Sequence, residues 1–126
     1  MFCVLCLEKK ISRQFRYVIV DKKVITGSEY RWDNVLDVRR DTHPLCDEMA
    51  QKVAEADWQA DRVYVCDVAL VETIVSAAER YYTEIKQEAK IVELNAFSSS
   101  GLYACDTYKI VEAVSKAAED EALGNA

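Results

Sequence analysis

Residues 90–106 read KIVELNAFSSSGLYACD, and they begin as a strand that carries an acid and an amide among strong strand formers. Side chains alternate between the two faces of a strand, which places Ile91, Glu93 and Asn95 on one face and Leu94 on the other. A loop of three serines and one glycine follows at once. The stretch therefore predicts a strand with a polar face that ends beside a loop of small residues.

The patterns on either side of this stretch predict the order hairpin, helix, strand, helix, strand, helix. The predicted elements are an extended segment at 2–7, hairpin strands at 14–20 and 24–31 around the turn DKK, an irregular segment at 32–43, a helix that starts at Pro44, a strand at 62–70, a helix at 72–88, the strand at 90–97, and a helix at 107–121 capped by Asp106. This order predicts one α+β domain over residues 1–126, with a mostly antiparallel sheet and helices packed on one face.

The predicted helix at 72–88 rests on apolar residues at helical spacing, among them Val71, Ile74 and Ile85. Tyr81 and Tyr82 are adjacent, so one narrow stripe of a helix cannot bury both. Two interpretations stay open: the surplus tyrosine marks a protein–protein surface, or the helix belongs to the core and its tyrosines reach out to water.

Charge and composition exclude several classes of protein. The 126 residues carry a formal net charge of −6, whereas nucleic-acid binders normally present a basic stripe. The apolar opening MFCVLCL is seven residues long, too short for a membrane span, and it lacks the features of a signal peptide. We expect no nucleic-acid partner, no membrane partner and a cytoplasmic location.

The five cysteines do not form an even disulfide framework. Cys3 and Cys6 make a CxxC motif, but a zinc site needs a second pair of ligands and His43 is the single histidine. The cysteines are therefore interpreted as small buried hydrophobic residues in a reducing compartment.

A second acid stands alone in an apolar strand: Asp67 in RVYVCDVAL. If the strands at 62–70 and 90–97 are neighbours, Asp67, Glu93 and Asn95 meet on the face of the sheet that the helices leave free. Carboxylate and amide oxygens are hard ligands suited to Mg²⁺ or Mn²⁺. The alternative is that both acids are solvated surface charges paired with Arg16 or Arg62.

Three segments together resemble the C-terminal half of the ATP-grasp superfamily: QFRYVIVDKKVITGSEYR (14–31), RVYVCDVAL (62–70) and KIVELNAFSSSGLYACDTYKIVEA (90–113). The resemblance covers roughly residues 7–118 and is most specific in ELNAFSSSGLYACD. It points to the small phage and bacterial ATP-grasp proteins of the clade named for two arginines and a lysine.

The resemblance implies a Mg²⁺-dependent, ATP-binding lobe, with Mn²⁺ as an alternative ion. Asp67, Glu93 and Asn95 would hold the metal that bridges the ATP phosphates. Arg16 and Arg31 would act catalytically on phosphates or substrate, and Arg16 would also contact the nucleotide. Glu8, in a hinge-like segment at residues 1–10, would contact ribose or adenine. The reaction implied is an ATP-dependent carboxylate–amine ligation through an acylphosphate.

The chain also departs from the family pattern. ATP-grasp enzymes clasp ATP between two lobes, and the resemblance implies that the N-terminal lobe is absent from this chain. A ligase would then need a separate N-terminal lobe or a homodimer. The second hypothesis is a non-enzymatic binding or regulatory module derived from an ATP-grasp lobe.

Overall fold

The computed structural model describes residues 5–33, 35–77 and 82–124, and within them the chain forms one five-stranded sheet and two α-helices. The elements are β1 (Leu5–Val20), β2 (Lys23–Trp32), β3 (Val35–Arg39), α1 (Pro44–Glu55), β4 (Val63–Ala77), β5 (Tyr82–Ala96), a short 3₁₀ turn at Phe97–Ser99, and α2 (Thr107–Ala122). The strand order is β3-β2-β1-β4-β5, and every pairing is antiparallel. The predicted α+β fold with a mostly antiparallel sheet is confirmed.

The predicted hairpin is formed by β1 and β2. Its turn consists of Asp21 and Lys22, which have φ angles of 48° and 62°. Two consecutive positive φ angles are typical of the type I′ turn, whose twist matches that of antiparallel strands. The Asp21 carboxylate also accepts a hydrogen bond from Arg62 Nε at 2.6 Å, which ties the turn to the start of β4.

Both helices begin where the sequence predicts. Pro44 is the first residue of α1, and His43 Nδ1 accepts a hydrogen bond from the Leu45 amide. Asp106 caps α2 by accepting a hydrogen bond from the Lys109 amide at 3.2 Å. Among the described residues, neither helix has the length and apolar character that a membrane crossing requires.

The predicted helix at 72–88 is wrong, because residues 72–77 extend β4 and residues 82–88 begin β5. Val71, Thr73 and Ile74 are β-branched, and such residues lose side-chain freedom in a helix while they pack well on a sheet. The two strands pair regularly, with Ile74 opposite Ile85. Tyr81 and the side chain of Tyr82 lie outside the described residues. The segment 32–43 also contains a strand, β3, which pairs with β2.

The prediction that the helices share one face is also wrong. On one side of the sheet, α1 packs against alternate residues of the central strands; this core comprises Phe15, Tyr17, Ile19, Tyr64, Cys66, Val68 and Leu70 together with Cys46, Ala50 and Ala54 of the helix. On the other side, α2 packs against the intervening residues; this core comprises Val18, Val20, Val65, Cys105, Ile110 and Ala117. Both faces of β1 and β4 carry buried apolar residues, so each face needs its own cover.

Two bulges flank β4. Ser12 is the extra residue of β1, between the pairs Ile11–Val71 and Arg13–Leu70. Val92 is the extra residue of β5, between Ile91, which faces Val68, and Glu93, which faces Asp67. A bulge shifts the alternation of the bulged strand by one residue. As a result Ile91 does not share the face of Glu93 and Asn95, contrary to the prediction from simple alternation.

Three cysteines that the structure describes are free and buried: Cys46, Cys66 and Cys105. Burial raises the pKa of the Cys46 and Cys66 thiols to about 12 and that of Cys105 to about 11. A buried thiol with a raised pKa favours the neutral form in the folded state. Below pH 9.0, the pKa of the thiol in the unfolded chain, the buried thiol does not reduce the free energy of unfolding. As the pH rises from there toward the raised pKa of the folded state, the unfolded chain ionises first and the free energy of unfolding falls.

We therefore expect the free energy of unfolding to fall as the pH rises above 9.0, the pKa of an unperturbed thiol. Urea denaturation at a series of alkaline pH values measures this dependence. Cys66→Ala should show a shallower fall with pH than the parent, although its stability near neutral pH is lower. A free energy of unfolding that stays constant over this range would contradict the expectation.

Candidate functional site

The three predicted metal ligands are brought together by the pairing of β4 with β5. Asp67 lies directly opposite Glu93, and Val65 lies directly opposite Asn95. Asn95 Nδ2 donates to Glu93 Oε1 at 2.9 Å and approaches Asp67 Oδ2 at 3.4 Å. The three side chains therefore form one polar cluster on one face of the sheet.

The members of this cluster differ in their access to solvent. Asp67 is 1% exposed, Asn95 is half-buried and Glu93 is exposed. The cluster therefore has a buried carboxylate at its base and an open carboxylate at its rim. A ligand that approaches from solvent meets Glu93 first.

Arg16 occupies the inner side of the cluster, because it lies opposite Asp67 in the pairing of β1 with β4. Its guanidinium makes a two-pronged ion pair with Asp67: Nε to Oδ1 and Nη2 to Oδ2 are both 2.8 Å. Arg16 is itself 9% exposed. The hydrogen bonds to Asp67 raise the pKa of Arg16, which keeps the guanidinium in its charged form. The negative charge of Asp67 is thus balanced within the protein.

Two tyrosines that stack on each other lie against the Arg16 guanidinium. Tyr30 and Tyr103 stack with 5.0 Å between ring centroids and 7° between ring planes. The Arg16 Cζ atom lies 5.4 Å from the centroid of Tyr30 and 5.1 Å from that of Tyr103. Cation–π contacts at such distances stabilise an arginine and exclude water from it. Burial, with the nearby charge of Asp67, raises the pKa of Tyr30 to about 12.

The loop of small residues that follows β5 also meets Arg16. Arg16 Nη1 donates to the carbonyl of Gly101 at 3.0 Å, and the Ser28 hydroxyl accepts a hydrogen bond from the Ala104 amide. The cluster therefore lies on the side of the sheet that carries α2 and this loop. The expectation that the acids occupy a face without helices is wrong, because α2 packs on that face.

The remaining predicted residues lie apart from the cluster or outside the description. Arg31 lies opposite Gln14 and is exposed. Gln14 is two residues from Arg16 in β1, so Arg31 lies on the same face of the sheet as the cluster. The side chain of Glu8 lies outside the described residues, although its backbone belongs to β1. Arg62 pairs with Asp21 and Asp120 instead of the two acids of the cluster.

Sequence reasoning missed a second buried ion pair, on the opposite face of the sheet. Arg13 Nε and Nη2 bind the two carboxylate oxygens of Glu29 at 2.8 and 2.7 Å, and Glu29 is fully buried. The Arg13 guanidinium also lies over Trp32, 4.7 Å from the ring centroid. The available signal was an acid within an apolar strand, the same signal that drew attention to Asp67. Arg13 and Arg16 are three residues apart, an odd spacing that places them on opposite faces of β1.

The donor set fits a hard divalent cation in part. A carboxylate from Glu93 and an amide oxygen from Asn95 are ligands that Mg²⁺ prefers. Asn95 turns its Nδ2 toward both carboxylates, so its oxygen would reach an ion shared with them only after the amide rotates. Each carboxylate oxygen of Asp67 accepts a hydrogen bond from Arg16 and the side chain is 1% exposed, so a cation would reach Asp67 only through a remaining lone pair of these oxygens. Within the residues that the structure describes, no group of three or more His, Cys, Asp and Glu side chains converges on one point. The cluster matches an ion that brings other ligands with it, such as the phosphates of a nucleotide.

Comparison with known proteins identifies a family for this chain. One ATP-grasp domain family, the second family of the clade named for two arginines and a lysine, has a model that matches residues 4–113, which is most of the chain. No curated protein and no solved structure matches significantly. The matched range contains all five strands and the polar cluster that they build. This chain belongs to that ATP-grasp domain family.

Proposed function

We propose that this chain is the nucleotide- and Mg²⁺-binding lobe of an ATP-dependent carboxylate–amine ligase that works through an acylphosphate. The observation that supports this proposal is the direct opposition of Asp67 and Glu93 on β4 and β5, with Asn95 beside them. Two carboxylates so close together repel each other unless a cation lies nearby. Arg16 balances the charge of Asp67 but not that of Glu93. The rim carboxylate of Glu93 keeps its charge available for a ligand.

Each residue of the cluster has its own part in the proposed function. Glu93 and Asn95 would hold Mg²⁺, or Mn²⁺ in its place, and Asp67 would be the third ligand. The bound ion supplies neutralisation of the charge that builds on the phosphates during transfer. Arg31, exposed at the edge of the cluster, would contact the phosphates. Arg16 would hold Asp67 in place until bound phosphates attract the Arg16 guanidinium.

Ligation requires that both substrates be held in place and shielded from water. A single lobe whose site opens to solvent would contact a nucleotide on one side of the nucleotide only. The proposed ligase therefore works with a second lobe, which another chain or a second copy of this one would be able to supply. The resemblance gives that second lobe the task of closing over the phosphates.

A second candidate function is favoured by one observation. Asp67 is buried and fully paired with Arg16, so this part of the cluster is stable without a metal. A binding or regulatory module derived from an ATP-grasp lobe would keep such a pair for structural reasons. That module would not show Mg²⁺-dependent nucleotide binding.

Titration of the chain with ATP, followed by NMR of its backbone amides, distinguishes the two functions. The ligase lobe predicts saturable shifts that depend on Mg²⁺ and are centred on Arg31, Glu93 and Asn95. A parallel titration in EDTA provides the control for the metal. Shifts that are absent, or equal with and without Mg²⁺, would contradict the proposed function and favour the binding module.

A further inference from the structure

The outer edge of β5 is a long, regular strand edge. β5 is the last strand in the sheet order, so in the described part of the chain its outer side pairs with no other strand. Its pairing with β4 is regular from residue 82 to residue 91, because the bulge at Val92 lies beyond this stretch. Ile85 and Ile91 are 58% and 48% exposed. An open edge of this kind is a template for another strand unless charges or bulges protect it.

Charges do occur on this edge, and their order suits pairing with itself. Lys86, Glu88 and Lys90 follow one another on one face of β5, while Ile85 and Ala89 lie on the other. In an antiparallel pair of two copies centred on residue 87, Lys86 lies opposite Glu88 of the second copy. The same register sets Ile85 opposite Ala89, and residue 84, an acid, at the position opposite Lys90. Opposite charges that face each other directly across two strands stabilise the pair.

The neighbouring registers place like charges together. A two-fold axis normal to the sheet keeps each face on its own side, so the register can shift only in steps that preserve alternation. Centred on Glu88, the pair would set Lys86 against Lys90 and Glu88 against itself. Centred on Lys86, it would set Lys86 against itself and Glu88 against residue 84, another acid. Centred on residue 85 or on residue 89, the pair would keep one kind of opposite-charge contact, that of residue 84 with Lys86 or that of Glu88 with Lys90. The register centred on Gln87 makes two kinds, so it is the register that the charges favour.

We propose that two copies of this chain associate through β5 in the antiparallel register centred on Gln87, so that their sheets become continuous. The occupant of the edge is a second copy because the charges of this segment complement themselves. The association also covers Ile85, whose face continues into the core under α1 through Ala89. It involves neither the Asp67 cluster nor bound nucleotide, so its test is independent of the proposed ligase function.

Sedimentation velocity of the full chain over two orders of magnitude in concentration tests the association. The parent should form a dimer. Lys86→Glu and Glu88→Lys should each weaken it by at least about tenfold, because each puts like charges opposite each other twice. An equimolar mixture of the two variants should form a heterodimer, since the carboxylates at positions 86 and 88 of the first variant then face the ammonium groups at positions 88 and 86 of the second. The double variant K86E/E88K should regain the affinity of the parent.

Lys52→Glu is the matched control, because Lys52 is an exposed residue of α1 and its replacement changes the net charge as much as Lys86→Glu does. It should leave the dimer affinity unchanged, and circular dichroism should show that all variants are folded. A parent that is monomeric at every concentration would overturn the proposal. So would a dimer that Lys86→Glu does not weaken, or two weakened variants that fail to associate when mixed.

Discussion

Arg16→Met is expected to lower the free energy of unfolding by about 3–5 kcal/mol, the usual cost of removing one partner from a buried ion pair. The substitution keeps an apolar chain beside Tyr30 and Tyr103 but leaves the carboxylate of Asp67 without its counter-charge. Asp67 is 1% exposed, so water cannot replace the guanidinium. Urea denaturation of parent and variant at neutral pH measures the difference.

Two further variants show whether the lost charge pair is the cause. Arg31→Met removes an exposed arginine next to the same cluster and should change stability by less than about 0.5 kcal/mol. The double variant R16M/D67L removes both charges and should recover most of the loss, because an apolar pair can replace a buried ion pair. If the double variant is as unstable as Arg16→Met, lost packing rather than unpaired charge explains the effect.

Glu93→Gln is expected to weaken Mg²⁺-dependent ATP binding by at least about tenfold, since a metal site of two or three oxygen ligands depends on each carboxylate. The side-chain oxygen of glutamine can still accept the hydrogen bond from Asn95 Nδ2. The variant therefore removes the charge and preserves the shape of the cluster. Isothermal calorimetry with ATP, in Mg²⁺ and in EDTA, measures the change.

The same variant should leave stability unchanged to within about 0.5 kcal/mol, because Glu93 is exposed. Glu112→Gln, on the exposed side of α2, removes one negative charge at a distance and serves as the matched control. It should bind ATP as the parent does. If the parent and Glu93→Gln bind ATP equally well in Mg²⁺, Glu93 is not part of the site.

The polar cluster could be predicted because it follows from strand alternation alone. Asp67 and Glu93 are acids within apolar strands, and antiparallel neighbours place equivalent faces together. The choice of Arg16 as partner of Asp67 could not be predicted, since Arg62 offered the same charge. It required the pairing of β1 with β4, which depends on how the whole sheet assembles.

Two errors of the sequence interpretation have a common cause. Val71, Ile74 and Ile85 fit helical spacing, but the same segment is rich in β-branched residues that also suit a strand. Local pattern does not decide between these states when β4 and β5 can pair with each other over their full length. The bulge at Val92 likewise depends on the partner strand, so alternation placed Ile91 on the wrong face.

The separation of β1 from β4 along the chain has a consequence for folding kinetics. The β1–β2 hairpin closes through a two-residue turn, a local event on the microsecond scale. The contact of Arg16 with Asp67 spans 51 residues, and its contact with Gly101 spans 85. Contacts so distant in sequence carry the largest loop-closure entropy and form late. The cluster is thus complete only when the whole sheet has assembled, and a partly folded chain presents the hairpin without the site.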